Sequence, residues 1–286
     1  MKIAICACAK YEEKYMKEWI DHHLQIGVDD IYIYDNNDDD KQKEIIDQYS
    51  DHVYRINIRG QKAFQIRIYN DFYNTVGNMY DYIIFIDLDE FIIFNPNQPI
   101  QNIKDFLQLN PDHKYYRICQ QCRVNNELIT YDDRPLKERF TEVWDVEQDF
   151  PKTIVATNMN IKMDIHNAIC NITCYNGDNE IVSNSMKDRN IKQNYNCLYF
   201  AHYINKTPEE YFNTKYQRGY DACGLYSVYG LEWYYIRNKL TKESFDYLCN
   251  KFNVKEQSKT SLWNKIKQTS RNNKWITIEQ ANKISK

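Results

Sequence analysis

The ten residues Tyr82-Ile83-Ile84-Phe85-Ile86-Asp87-Leu88-Asp89-Glu90-Phe91 constrain the fold more than any other stretch of the chain. The first five are apolar or aromatic, largely β-branched and free of Gly and Pro, which is the pattern of a central strand buried on both faces. That strand runs into three carboxylates within four positions. Ionised carboxylates are costly to bury unless they are paired or bind a cation. Strand ends in an open α/β sheet are also where ligands dock. Read as an extended segment, Asp87 and Asp89 flank Leu88 and point to one side. Two hard oxygen ligands so placed suit Mg²⁺ or Mn²⁺, with water and substrate phosphates filling the remaining positions. Spacing alone would not carry this, because 24 Asp in 286 residues yield about two Asp-x-Asp pairs by chance and two occur. The position after a buried strand singles out Asp87/Asp89. Asp38/Asp40, inside the polar run Asn36-Asn37-Asp38-Asp39-Asp40, reads as a solvated loop.

Upstream, strand-like and helix-like segments alternate. Lys2 to Cys8 reads as a first strand of the continuously buried type. Tyr11 to Ile26 has Tyr15, Met16, Trp19, Ile20, His23 and Leu24 at helical spacing, stopped by Gly27. Asp30 to Asp35 is a second strand, Lys41 to Tyr49 a short helix, His52 to Ile58 a third strand and Gln61 to Val76 a helix. This alternation over 91 residues predicts an α/β fold with a largely parallel, doubly wound sheet. Beyond Asn95-Pro96 come a short helix (Ile100 to Leu109) and a strand (Tyr115 to Cys119). Hairpin-like fragments follow at Lys152 to Ala156, Asn160 to His166 and Asn196 to Ala201. Thr207-Pro208-Glu209-Glu210 is a helix start, with Thr207 at the N-cap, Pro208 in the first turn and Glu210 closing a capping box. From Leu231 the chain reads as mostly helical, with Trp233, Phe252, Trp263 and Trp275 as packing anchors.

Composition narrows the function classes. With net charge −3 and no dense basic run, the chain lacks a general phosphate-neutralising surface, so no nucleic-acid partner is expected. Nine Cys are odd in number and scattered, and Cys6, Cys8, Cys119, Cys170 and Cys197 fall in apolar or strand-like stretches, where a thiol acts as a small hydrophobe. Cys119/Cys122 has redox or zinc spacing but no second pair accompanies it. A reducing compartment fits this usage. The start Met1 to Cys8 is too short and too soon polar for a signal peptide, and no window approaches the 18 apolar residues of a membrane span. A soluble, cytoplasmic protein is expected, although a lipid-linked substrate would hold it peripherally at a membrane surface.

Taken together the motifs resemble a glycosyltransferase of the GT-A fold, in the family 2/family 92 group with the Asp-x-Asp-Glu-Phe signature. Segments covering roughly residues 1 to 220 fall in the family's order. They are Glu18-Trp19-Ile20-Asp21-His22-His23, Gly27-Val28-Asp29, Tyr34-Asp35-Asn36, Gln61 to Phe64, Asp87-Leu88-Asp89-Glu90-Phe91, Arg134-Pro135 with Glu138-Arg139-Phe140, and Ala201-His202-Tyr203 followed by Lys215 and Arg218-Gly219. One departure stands out. Where a Trp/Gly-rich stretch often precedes Arg-Pro, this chain has Cys122-Arg123-Val124-Asn125-Asn126, so acceptor identity does not carry over.

The resemblance implies a GT-A (Rossmann-like) mixed, mostly parallel sheet flanked by helices. It divides the chain into a glycosyltransferase domain over 1–220, with a nucleotide-sugar half (1–95) and an acceptor half (96–220), and a helical C-terminal extension over 221–286. It implies a metal-dependent, inverting transfer of a hexose or N-acetylhexosamine from a UDP-sugar to a surface-glycan acceptor. In such a reaction a cation bridging the two phosphates offsets the charge that builds on the leaving group. Asp89 would be a direct ligand to Mn²⁺ or Mg²⁺. Asp87 would bind it through water or hold the ribose, with Glu90 in support by hydrogen bonding to a neighbour. His202 would be a third ligand, with His166 as runner-up, while His22 and His23 read as packing or backbone-bonding residues. Asp35 would accept hydrogen bonds from uracil or ribose, Cys8 and Lys10 would lie near the base, and Gln61 would touch the nucleotide. Lys215 and Arg218, three apart on one helix face, would pair with the diphosphate or form a solvated face. A general base is needed for the acceptor hydroxyl; Glu138, Asp133 and Asp164 are the candidates.

Two other readings compete. A nucleotidyltransferase also sets Mg²⁺ at a strand end, but it carries a Gly-rich loop after the first strand, and Cys8-Ala9-Lys10-Tyr11 has no Gly. A catalytically inactive sugar-binding protein would use the Tyr-rich surface for stacking on carbohydrate.

Overall fold

A computed structural model describes residues 1–49, 51–125, 127–144, 150–185, 194–219, 230–271 and 273–283. In chain order the first elements are β1 (Ile3–Ala9), α1 (Glu13–Gln25), β2 (Asp30–Asp35), α2 (Lys41–Ile46), β3 (Val53–Asn57), α3 (Gln65–Thr75), β4 (Tyr82–Phe85), β5 (Glu90–Phe94) and α4 (Ile103–Gln108). Then come β6 (Tyr115–Ile118), β7 (Gln120–Val124), α5 (Leu136–Arg139), β8 (Glu142–Trp144), β9 (Lys152–Ala156), β10 (Lys162–Met163), β11 (Ala168–Ile169), β12 (Cys174–Tyr175), β13 (Ile181–Val182) and β14 (Leu198–His202). The chain continues with α6 (Pro208–Tyr211), α7 (Leu231–Tyr234), α8 (Lys242–Lys251), α9 (Glu256–Ser270), β15 (Trp275–Thr277) and α10 (Ile278–Lys283). The described residues group into two compact units. The first comprises Met1–Gln121 and Glu147–His202, and the second Cys122–Val146 and Tyr203–Lys283. Residues 220 and 221, where the helical extension was expected to begin, lie outside the described residues.

The first unit is built on an eight-stranded mixed sheet in the order β13-β12-β6-β9-β4-β1-β2-β3. β1 pairs parallel with both β2 and β4, and β2 pairs parallel with β3, which is the doubly wound arrangement that the alternation predicts. β9 runs antiparallel to both β4 and β6, so the sheet is mixed at that point. Continuous apolar runs explain β1 and β4: both faces are covered, and Ile3, Ile5, Ile83, Ile84 and Phe85 are all fully buried. Helix α3 lays Ile68, Tyr69 and Phe72 on one face of this core, as its helical spacing requires. β2 lies on one side of β1, and the crossover from β3 through α3 returns the chain to β4 on the other. The carboxyl ends of β1, β2 and β4 therefore flank the crevice where ligands bind in such sheets.

One expectation fails in an informative way. The strand expected to run from Tyr82 into the carboxylates stops at Phe85. After a turn in which the Glu90 N–H donates to the Asp87 carbonyl oxygen (3.1 Å), the chain enters β5, which pairs antiparallel with β14. Asp87 and Asp89 thus belong to a turn between two strands, with Glu90 opening the second, and strand alternation is not what orients Asp87 and Asp89. Burial explains the break: an extended continuation would carry charged side chains through the covered sheet, whereas a turn gathers them at its end.

The second unit has its own core. Tyr211, Leu231, Tyr234, Tyr235, Phe245, Leu248, Cys249 and Ile266 are buried together, with Trp233, Phe252 and Trp263 packed against them. Its helix α6 starts with the predicted capping box. The Thr207 side chain accepts the Glu210 N–H (3.2 Å), and Glu210 Oε2 accepts the Thr207 N–H (2.9 Å). The helix is not the uniform α-helix expected to Arg218: after Tyr211 it widens into a π-type turn over Phe212–Tyr216. No helix among the described residues is long and apolar enough to cross a membrane.

Candidate active site

The acidic turn after β4 lies at the carboxyl end of the parallel sheet, and four elements of the first unit converge on it. The register Phe85↔Thr153 brings Lys152, the first residue of β9, alongside the turn. Its Nζ donates to Asp87 Oδ2 (2.6 Å) and lies 3.4 Å from Glu90 Oε2, with the side chain 1% exposed. From the first turn of α3, Gln65 Nε2 donates to Asp87 Oδ1 (2.8 Å) and to the Tyr69 hydroxyl (2.8 Å). Trp19, on α1, donates its indole N–H to the Glu90 carbonyl oxygen (2.7 Å), and Glu90 Oε2 accepts the Asp87 N–H (3.0 Å). The antiparallel register of β14 on β5 sets His202 opposite Glu90.

His202 is oriented from behind. Its Nδ1 bonds to Gln120 Oε1, so the Nδ1–H is the donor there, and in the neutral ring the lone pair then sits on Nε2. Nε2 faces Asp89 Oδ1 at 3.5 Å, and Nδ1 is 3.7 Å from Glu90 Oε1. Asp89, Glu90 and His202 are all buried. Burial pushes the Glu90 carboxyl up to about 8; Lys152 opposes this, while the charges of Asp87 and Asp89 add to it. Burial also pushes Asp87 up, but there the Lys152 ammonium outweighs it and holds the carboxyl below its ordinary value. Lys152 itself is raised, because the attraction of Asp87 and Glu90 exceeds the cost of its burial.

This arrangement fits a divalent cation at Asp89 and His202. A metal-bound imidazole ordinarily donates its other N–H to a fixed acceptor, as His202 does to Gln120. Two ligands about 2.0–2.2 Å from one ion stand about 3 Å apart when adjacent, near the separation seen here. In addition, Glu90 Oε1 is buried without a hydrogen-bond partner, so the cluster leaves a carboxylate oxygen for which a positive charge is the natural complement. Both oxygens of Asp87 already receive one protein donor each, from Gln65 and Lys152. Among the described residues no group of three or more His, Cys, Asp or Glu is placed to hold a metal ion without ligands from elsewhere.

The other expected residues fall as follows. Asp35 is buried, with Oδ1 accepting the Asn37 N–H (2.9 Å) and Gln42 Nε2 (2.6 Å) and Oδ2 accepting Arg55 Nε (2.6 Å). Its carboxylate is therefore engaged in holding the loop after β2. Gln61 is exposed and precedes α3, whose first residue, Gln65, is the one that reaches the acidic turn. Cys8 is half-buried against the core, and Lys10 Nζ is 3.4 Å from Asp38 Oδ1. Asp38 and Asp40 are paired with Lys10 and Arg59, as a solvated loop would be. His166 is close enough to Asp87 for its charge to be felt there. Asp164 accepts the Ile165 N–H (2.8 Å) in a turn. Asp133 and Glu138 are exposed residues of the second unit, which also holds the buried Lys215 and the half-buried Arg218. Cys119 and Cys122 are buried and not joined in a disulfide.

Lys152, Gln65 and Gln120 escaped the sequence reading. A faint signal existed for Lys152, a single charge heading an otherwise apolar strand, but which carboxylate it meets depends on strand register.

The profile of glycosyltransferase family 92 matches residues 1–253. A glycosyltransferase family 92 protein of Oryza sativa subsp. japonica is 27% identical over 107 residues, which is 35% of this chain but only 18% of that protein's length. Among solved structures, S. aureus TarS in complex with UDP is 10% identical over 95% of this chain and 71% of that chain, with a TM-score of 0.42. Glucosyl-3-phosphoglycerate synthase from Mycobacterium tuberculosis, solved with Mn²⁺ and UDP, is 16% identical over 42% of this chain and 44% of that chain, with a TM-score of 0.29. On the match across most of its length, this chain belongs to glycosyltransferase family 92.

Proposed function

We propose that this chain transfers a hexose or N-acetylhexosamine from a UDP-sugar to a glycan acceptor, with inversion and with the help of Mn²⁺ or Mg²⁺. The observation that carries the reading is the convergence of Asp89 and His202, with the orphaned Glu90 oxygen, at the carboxyl end of a doubly wound sheet. A divalent ion held there would offset the charge that develops on the departing diphosphate. Gln120 keeps the His202 lone pair on Nε2, and Trp19 and Gln65 hold the turn in shape. Glu138 is our assignment for the general base, with Asp133 and Asp164 as the alternatives. The acceptor is a surface glycan, free or lipid-linked, and in the latter case the chain works at a membrane surface. Core-packed thiols such as Cys6, Cys119 and Cys122 support placing it in the reducing cytoplasm.

The test is Asp89→Asn. This change keeps the side chain's size but removes its charge, so Mn²⁺-dependent UDP binding should weaken at least ~100-fold, since a direct ligand outweighs the ~10–100-fold of an outer-shell partner. Calorimetric titration of UDP with Mn²⁺, and again with EDTA, reads this directly. Equal affinity in the variant and the wild type, or in EDTA and Mn²⁺, would sink the reading.

A further inference from the structure

We infer that Lys152 is the internal counter-cation of the acidic turn, a positioning residue that satisfies Asp87 and Glu90 while the site holds no ion and thereby makes firm ion binding depend on a nucleotide diphosphate. The inference rests on the reading above and deepens it by stating how that site is regulated. Lys152 Nζ is 2.6 Å from Asp87 and 3.4 Å from Glu90, and its side chain is 1% exposed. An ammonium so buried persists only when paired. The placement is not incidental to a flexible surface chain, because Lys152 is held in the sheet between two registers, Ile118↔Lys152 on one side and Phe85↔Thr153 on the other.

The consequence for an ion follows from charge. Asp87 and Asp89 without a lysine would form a negative pocket able to draw in a divalent ion by itself. With Lys152 present, Asp87 is committed to protein donors, and a fixed positive charge stands beside the site and repels the ion. What remains on the protein side is Asp89, His202 and the unbonded Glu90 Oε1. Mg²⁺ and Mn²⁺ are typically held by one or two carboxylates together with substrate phosphates. The negative charge of a diphosphate supplies what Lys152 withholds, so ion and nucleotide enter as partners. An ion pair with a purely structural role would leave ion affinity unchanged when Lys152 is neutralised.

Mn²⁺ binding, followed by the electron paramagnetic resonance of the free ion, tests this on the full chain with and without UDP. Wild type should bind Mn²⁺ at least tenfold more tightly with UDP than without. Lys152→Met should bind Mn²⁺ alone at least tenfold more tightly than wild type, and Lys152→Arg, which keeps the charge, should behave as wild type. If Lys152→Met folds by circular dichroism and holds Mn²⁺ alone no better than wild type, the inference fails while the functional reading stands. Should that variant not fold, the wild-type arm decides, because Mn²⁺ held as tightly without UDP as with it overturns the inference. Absence of any Mn²⁺–UDP binding by wild type would instead overturn the functional reading, and this inference with it.

Discussion

The ring of His23 is fully buried, with Nδ1 2.8 Å from the Trp19 carbonyl oxygen and Nε2 3.3 Å from the Ile92 N–H. These partners fix the neutral tautomer, with the proton on Nδ1 and the lone pair on Nε2. Burial holds its pKa well below 6.5, and the neighbouring His22 lowers it further, while the Trp19 bond opposes both. The unfolded chain takes up a proton here below about pH 6.5 and the folded chain does not. Stability from this residue is therefore intact above that pH and falls by about 1.4 kcal/mol per pH unit below it. His23→Gln should flatten the loss of urea-unfolding free energy between pH 6.5 and 5 by about one proton's worth; an unchanged slope would show that the ring is solvated. In the second unit, Arg139 and Glu210 form a forked pair at 3.0–3.1 Å with side chains 1% and 0% exposed. Arg139→Met leaves Glu210 buried without its counter-charge and should cost about 3–5 kcal/mol, much of it recovered by adding Glu210→Leu. Single and double variants costing the same would disprove the pairing. Residue identity announced some of this chemistry: Thr207 and Glu210 lie within one turn, so their capping box is legible locally. The pairing of Lys152 with Asp87 spans 65 residues and has no local trace.

At the scale of elements, α1 ends where Gly27 takes φ +97°, a conformation open to glycine and strained for other residues. A Cβ there would also meet the side-chain amide of Asn102 at 2.5 Å, and Asn102 is the N-cap that accepts the Lys104 N–H of α4. Gly27→Ala should therefore strain one helix end and displace the cap of another, at about 2 kcal/mol in denaturant unfolding. A loss below a few tenths would mean the segment re-forms freely. Periodicity located these elements well: α1, α3 and β1 to β4 fall within a few residues of the expected positions. It failed at the acidic turn and after Tyr211. At the turn, an apolar run followed by carboxylates is consistent with either a straight strand or a break, and solvation of the charges decides. After Tyr211, Phe212–Tyr216 forms a π-type turn that no helical spacing distinguishes from an α-helix.

For the molecule as a whole, the proposed function requires that Mn²⁺ and UDP, by binding the folded state alone, raise its apparent stability. At a hundredfold excess over the dissociation constant the gain is about 2.7 kcal/mol, which corresponds to several degrees in Tm. A thermal-shift series should show this with Mn²⁺ and UDP together and lose it in EDTA; no shift at saturating UDP and Mn²⁺ would count against the site. The amino-acid order by itself determined the elements of a doubly wound sheet, the acidic cluster at its carboxyl edge and the family, because apolar periodicity and short motifs are written along the chain. Only the tertiary structure decided which groups meet there: Lys152 on Asp87, Gln120 behind His202, and the protein's own donors on Asp35. Those choices follow from strand register and from the need of each buried charge for a partner, and both are settled only when distant segments pack together.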